Sequence, residues 1–583
     1  MTYAEFIKFK GLLPYFPKNV NDQVDGIPNS VTQKDIDGRR DLRNLNTVTI
    51  DGDDSKDFDD AISISMLKNG NYYLGVHIAD VSHYVTPNSA LDREAFSRAT
   101  SVYLINNVIP MLPKELSNGI CSLNPQVDRL TLTIFLEIDH TGGVINYEIC
   151  ESVINSNERM TYNNVTKILD GDPELYKRYD YLVDEFKLML KLSKILEAKR
   201  LKRGALNFDF PEPKITLDKN DVPIKIEKYP ITVSNHIIEE FMLIANETIA
   251  RHINHLNIPL VYRVHENPAT DKIENFSQMI KTFGVKLKIG DKGVKPKDLQ
   301  EILEQIEGKD YYLAVSTCML RSLMKARYSE ENLGHFGLAA KYYCHFTSPI
   351  RRYPDLVVHR IVKDWLHKNL NERKLGFYEA FCINASTQSS EREVHATECE
   401  REWDSYKIAQ FMEAHVGEEF DSTIVSVTSF GLFVQLDNLA QGLVHMSELD
   451  GDYYIFDEVR NILTGKHTGA VYQIGEKLHV KLIRVNPEAR QIDFCLVTEK
   501  KSEEKSKKNK EDTDDNQSDD NKKTKKGKHS GKRSKKDKVV VQKKSASGKN
   551  DSGKKSNKGE TKRAHHHKPK SGKKNKKRKN NNE

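Results

Sequence analysis

The sequence predicts a multidomain α+β protein: a large mixed domain, then a small all-β barrel of the OB type, then a disordered basic tail. Three observations predict this. Strand-like and helix-like stretches succeed one another between residues 47 and 415. Five short strand-like runs crowd into residues 416–498. From 499 onward Lys, Ser, Asn, Gly and Asp dominate and large apolar residues almost vanish.

Residues 1–46 read as a leader punctuated by Pro14, Pro17 and Pro28. The stretch is too short to bury a core of its own and should pack on the domain after it. Residues 47–155 are mainly β. Tyr72 to Ala79 and Leu130 to Leu136 are rich in β-branched and aromatic side chains, with a short helix over Leu91 to Arg98 and an extended segment at Ile109 to Pro113 between them. Helical periodicity then takes over to 415. The expected helices are Tyr181 to Arg203, Asn235 to His255, Tyr311 to Lys325, Tyr353 to His367 and Tyr378 to His415. Asn235 reads as an N-cap, with Ile238, Phe241, Met242, Ala245 and Ile249 as the apolar face behind it.

The five barrel strands are expected at 420–427, 431–436, 442–445, 477–485 and 492–496. Phe430, Phe433 and His445, with nearby lysines, would give a base-stacking surface with a positive edge. For Phe433, inside an alternating strand, a core position stays open.

Charge separates body from tail. The chain carries +6 in total, but the stretch from 499 to the end holds about +19, so the rest is about −13. A basic tail on an acidic body implies a polyanionic partner, nucleic acid before others. Seven scattered cysteines with no C-x-x-C spacing read as reduced thiols of a cytoplasmic protein, not as a disulfide framework or zinc site. No apolar run of 18 residues and no secretory leader are found, so no membrane partner is expected.

The chemistry centres on Asp51-Gly52-Asp53-Asp54-Ser55-Lys56-Asp57-Phe58-Asp59-Asp60, with six carboxylates in ten residues between two strand-like runs. Carboxylates so close repel unless something positive joins them, and Mg²⁺ with waters and a substrate phosphate is the usual answer. A solvated acidic loop stays open on these residues alone. A calcium loop of the EF-hand kind lacks its sixth-position Gly and twelfth-position Glu. Arg351 and Arg352 follow Pro349 just before a helix start, where a phosphate finds both guanidinium forks and backbone donors. Either Arg could instead serve an ion pair between helices. Tyr103 offers a ring to a base. His77 and Asp80 could act as a base pair of groups, although a structural role weighs more.

Thr49 to Ala61, His77 to Ser82, Pro110 to Pro113, His236 to Met242 and Thr347 to Tyr353 together resemble the motifs of the ribonuclease II/ribonuclease R family, in that family's order. The terminal barrel resembles its S1-type RNA-binding OB-fold, and the Lys-rich tail is more like its ribonuclease R branch. The resemblance implies a Mg²⁺-dependent, processive 3′→5′ exoribonuclease that releases nucleoside 5′-monophosphates from single-stranded or structured RNA. It implies metal contacts at Asp51, Asp57 and Asp60, a chemical role for Asp59, a phosphate-stabilising Arg351 and a stacking Tyr103. Glu239 or Glu240 is a candidate for ribose contact. Asp53 and Asp54 fall outside the acidic quartet. The family also carries two cold-shock-type OB domains ahead of the catalytic domain. This sequence starts just short of where the second should end, and so reads as a shortened form, a fragment or a late start. A monomer is expected, with the ribosome or RNA-decay machinery as candidate further partners.

Overall fold

The structure is a computed structural model, and it describes residues 1–497 except 209, 292, 450 and 459. The basic tail expected from 499 lies outside the described residues.

The large mixed domain is built on a seven-stranded sheet. Its strands are β1 (Arg40–Asp41), β2 (Val48–Asp51), β3 (Asp60–Met66), β4 (Tyr72–Ala79), β7 (Asp128–Ile138), β8 (Val144–Asn155) and β9 (Glu158–Thr161); a separate hairpin is formed by β5 (Val102–Leu104) and β6 (Asn107–Ile109). The sheet order is β1-β8-β7-β4-β3-β2-β9, with β1 and β9 added in parallel at the edges and the central pairs antiparallel. Along β4, Leu74, Val76 and Ile78 are fully buried on one face, while the opposite face buries His77 against Ser63 and Thr133. The helices Val183–Arg203 and Val233–His255 pack against β3 and β4.

The leader packs on the domain after it, as expected. Phe6 is buried with its ring centroid 4.8 Å from that of Trp403. It is more integrated than a leader, because β1 falls inside it and completes the sheet edge.

The expected helices are present with shifted ends: Val183–Arg203, Val233–His255, Tyr312–Ser322, Tyr353–Leu366 and Glu372–Glu413. Asn235 is not the N-cap. Thr232 is, and Asn235 sits three residues on, its side-chain oxygen taking the Thr232 N–H at 2.9 Å. Thr270–Ile280 and Pro296–Ile306 are further helices, with a separate core around Ile273, Leu299 and Met319.

Glu372–Glu413 runs on toward the barrel, and its Ala409 and Met412 join the barrel's core. The barrel is closed by the five expected strands, now Glu419–Thr428, Gly431–Leu436, Gln441–His445, Lys477–Asn486 and Gln491–Leu496. Three short strands, Tyr454–Asp457, Ile462–Gly465 and Val471–Gln473, form an inserted sheet that the sequence pattern did not reveal.

Candidate active site

The acidic stretch leaves β2 at Asp51 and returns in β3 at Asp60, so these two carboxylates end adjacent antiparallel strands. The loop between them is pinned from behind. The Phe58 N–H donates to Ser122 Oγ at 3.0 Å, the Ser122 hydroxyl donates to the Lys56 carbonyl at 2.9 Å, and Phe58 itself is buried. Arg159 holds the loop's other side through the Gly52 and Asp53 carbonyls, each at 2.7 Å.

Residues 347–352 come over the top of this loop. The Ile350 N–H donates to Asp59 Oδ1 at 2.8 Å, and Arg351 Nε stands 3.6 Å from Asp59 Oδ2. The two arginines divide their duties. Arg352 binds Asp355 through Nε and Nη2 at 2.9 and 2.8 Å, so it is committed to the start of its own helix. Arg351 is 44% exposed, among the described residues shares only Ser348 Oγ at 3.2 Å besides Asp59, and can turn to a ligand. The strand leading to Tyr103 is laced to the same segment, with the Ser101 N–H donating to the Arg351 carbonyl at 3.0 Å. Tyr103, 39% exposed, donates its hydroxyl to Asp57 at 3.1 Å and its N–H to Glu400 at 2.8 Å. The four expected acids, Arg351 and Tyr103 thus line one chamber of about 480 Å³.

The electrostatics are those of a site short of positive charge. Burial raises Asp51 above the ordinary carboxylate range, and the Asp60 charge raises it further. Burial raises Asp60 and Asp59 too, against the pull of Arg351. Asp59 is 4% exposed, and both Asp51 Oδ2 and Asp59 Oδ2 are buried without a hydrogen-bond partner among the described residues. An orphaned buried acceptor costs about 1–3 kcal/mol, more when charged. Among the described residues no three acidic, His or Cys side chains converge as a finished metal cage. Orphaned hard oxygens without a complete cage suit a cation such as Mg²⁺, which keeps waters and takes its remaining ligands from substrate phosphate.

Elsewhere the structure sorts the expectations. Glu239 lines the chamber. Glu240 does not: it is 4% exposed on the other side of the helix, paired with Arg200 at 2.7 Å, because adjacent helical positions point apart. His77 and Asp80 are structural. His77 is fully buried between Ser63 and Thr133, each at 2.9 Å, and burial lowers it to about 3. Asp80 is held by Arg39 at 2.6 Å and Lys363 at 2.9 Å. Asp53 and Asp54 are exposed beside the quartet. On the barrel, Phe430 is 47% exposed, with Phe433 edge-on at 5.9 Å. Phe433 points outward between the buried Leu432 and Val434, and His445 pairs across the strand with Gly431.

Sequence reasoning missed Tyr162, Tyr229 and Asn246 in the chamber wall. Asn246 had a readable signal, since Glu239, Met242, Leu243 and Asn246 share one helical stripe and all line the chamber. Met242 packs against the core, as expected of the apolar face, and also reaches the chamber wall. Tyr162 and Tyr229 sit at a helix start and in a loop, where no periodicity marks them.

The RNB domain model matches residues 39–368 and the S1 RNA binding domain model matches residues 413–496. Ribonuclease R 1 of Lactococcus lactis is 46% identical over 490 residues, covering 84% of this chain and 60% of that protein. Ribonuclease R of Thermotoga maritima is 44% identical over 488 residues, covering 83% and 68%. The chain thus spans somewhat under or about two thirds of the length of these curated relatives. Among solved structures, Mycoplasma genitalium RNase R in complex with ribose methylated single-stranded RNA superposes with a TM-score of 0.80 at 29% identity, covering 85% of this chain and 77% of that one. The chain belongs to the RNB-domain family, in its ribonuclease R group.

Proposed function

We propose that this chain is a processive, hydrolytic 3′→5′ exoribonuclease that releases nucleoside 5′-monophosphates. The observation that carries the reading is the joint made by Asp59, Ile350 and Arg351, set beside the unpartnered oxygens of Asp51 and Asp59. Water adds to the last phosphorus, the bond to the 3′-oxygen of the preceding nucleotide breaks, and that oxygen leaves with a proton. The RNA keeps a free 3′-hydroxyl and the product carries the phosphate.

Asp51, Asp57 and Asp60 would hold Mg²⁺, which when bound supplies an activated water and a Lewis acid for the phosphate. Asp59 orders the site by fixing Ile350 with one oxygen and presenting the other to the reacting centre. Arg351 takes the charge that develops on the phosphate. Tyr103 stacks on the terminal base, its hydroxyl tied to Asp57 so that the ring's position and the acid's are set together. Glu239 can accept from a ribose 2′-hydroxyl, the group that separates RNA from DNA. Phe430, Phe433 and His445 give the barrel a stacking platform for upstream bases. The relative bound to single-stranded RNA supports that substrate class. Cys121, Cys150, Cys318, Cys344, Cys382 and Cys399 are free thiols, which supports a reducing, cytoplasmic setting. We read the protein as a monomer that can act alone or with ribosomes or other RNA-decay machinery.

The test is a time course on 5′-labelled single-stranded RNA with Mg²⁺, unmodified protein beside Asp59→Asn. The expected result is decay to a very short labelled end product, lost in the variant while RNA binding survives. Binding by both proteins with decay by neither would leave an RNA-binding protein with a silent site.

A further inference from the structure

A second cavity of about 770 Å³ lies against the catalytic chamber. The two share Gly52, Ser55, Asp57 and the rings of Tyr103, Tyr162 and Tyr229, so one wall of loop and tyrosines separates them. Across that wall the chemistry changes. Asp51, Asp59, Asp60 and Glu239 line only the catalytic side. Lys56, Arg159 and Lys214 line only the far side, with the amides of Asn106, Asn107 and Asn163. Asp53 and Asp54 are there too, and Asn163 holds Asp53 at 2.6 Å. Arg159 is engaged by the loop carbonyls, but its buried Nε has no hydrogen-bond partner among the described residues. The side chains of Lys56 and Lys214 make no ion pair with the described residues.

Hydrolysis changes the charge of what the catalytic chamber holds. A backbone phosphodiester carries one negative charge, whereas the released monophosphate carries about 1.5 to 2 at neutral pH. Even with Mg²⁺ and the arginines in place the catalytic side carries more negative than positive charge, so the product is held there less well than the substrate was, while on the other side Lys56 and Lys214 make no ion pair with the described residues. Tyrosine faces and amides suit a base and a ribose, and the volume lies within the ~300–1,000 Å³ of small-molecule sites. We propose that this second cavity receives the nucleoside 5′-monophosphate product and conducts it to solvent, with Tyr103 forming the partition that the product passes. The inference rests on the exoribonuclease reading above.

The experiment compares the unmodified full chain with a Lys56→Gln, Lys214→Glu double variant, by rapid quench on a short 5′-labelled RNA with Mg²⁺, and by calorimetric titration with AMP. The first cut needs no product to leave, so its rate should be unchanged, while each later cut slows several-fold. AMP affinity should fall roughly tenfold for two exposed cations removed. Equal slowing of first and later cuts, or weaker RNA binding, would mean that these lysines guide substrate, and would overturn the proposal. Unchanged later cuts would overturn it as well. If the unmodified chain cuts no RNA, the exoribonuclease reading fails by itself. The cavity is then judged by AMP alone: binding lost in the variant keeps it as a mononucleotide site, and binding absent or unaltered removes it.

Discussion

Asp59 accepts the Ile350 N–H at 2.8 Å across 291 positions of sequence. Through that bond the acidic loop and the arginine segment are one object: the same carboxylate that faces Arg351 also fixes the backbone from which Arg351 projects. Preorganisation of this kind aims donors at developing charge without reorganisation during reaction.

Arg351→Ala should therefore separate chemistry from fold. The side chain is half-exposed and touches Ser348 and, at 3.6 Å, Asp59, so stability should change by no more than about 1 kcal/mol. The cleavage rate should fall about 10²–10³-fold, as when a single oxyanion donor is removed, with RNA binding changed far less. Arg351→Lys keeps the charge but loses the fork and should recover only part of the rate. A variant with full kcat would take Arg351 away from the reacting phosphate.

Metal and proton should compete in the acidic cluster. Asp51, Asp59 and Asp60 are raised in the fold, by burial first. The metal-free fold thus binds protons more tightly than the unfolded chain. It loses stability as pH climbs from the ordinary carboxylate range through the raised values. Mg²⁺ displaces those protons, so its stabilising effect should be larger near pH 8 than near pH 5. Thermal melts with and without Mg²⁺ at both values check this, and Asp51→Asn should flatten the difference. An equal shift at the two values would argue against Asp51 as a ligand.

The sheet, the main helices and the barrel were legible because they rest on periodicity, which local sequence carries. The acidic cluster was legible because its members are neighbours in the chain, and the choice of four among its six acids came from the family resemblance. What could not be read is whatever depends on the partner across space. Arg351 and Arg352 are adjacent and identical in type, and only the position of Asp355, one turn on, decides which of them is spent. Glu239 and Glu240 are the same case, settled by Arg200 on another helix. The inserted sheet at 454–473 has strands too short for alternation to register.

That second pair yields a paired prediction. Glu239→Gln should leave stability unaltered and reduce the preference for RNA over DNA, read as the ratio of kcat/KM on matched oligonucleotides. Glu240→Ala should do the reverse. It strands buried Arg200 and should cost about 3–5 kcal/mol of stability without changing the ratio. Exchange of these two phenotypes would reverse the assignment.

Asp80 should prove one of the costlier acids to remove, despite lying outside the site. Burial alone would raise it, yet Lys363, Arg39 and the Ser82 hydroxyl outweigh burial and hold it well below the ordinary range. Its contribution is present above that range and lost only as pH falls below it. Asp80→Asn leaves two buried cations sharing Glu151 and should cost about 3–5 kcal/mol by denaturant titration, with the rate per folded molecule unchanged. A loss of rate at full stability would return His77 and Asp80 to the chemistry.

Phe430 tests the barrel's part. Nearly half of its surface is exposed and it leans on Phe433 edge to face, so Phe430→Ala should leave the melting temperature nearly unmoved. Base stacking on an aromatic ring is worth ~1–3 kcal/mol, and removing it should weaken long single-stranded RNA by about 5- to 100-fold. RNA too short to span from the acidic chamber to the barrel should be cut as before. No charge is removed, so the slope of affinity against salt should stay as it was. That pattern distinguishes stacking from electrostatic collection. A changed slope with unchanged affinity in high salt would mean that the positive edge around Phe430, and not its ring, holds the strand.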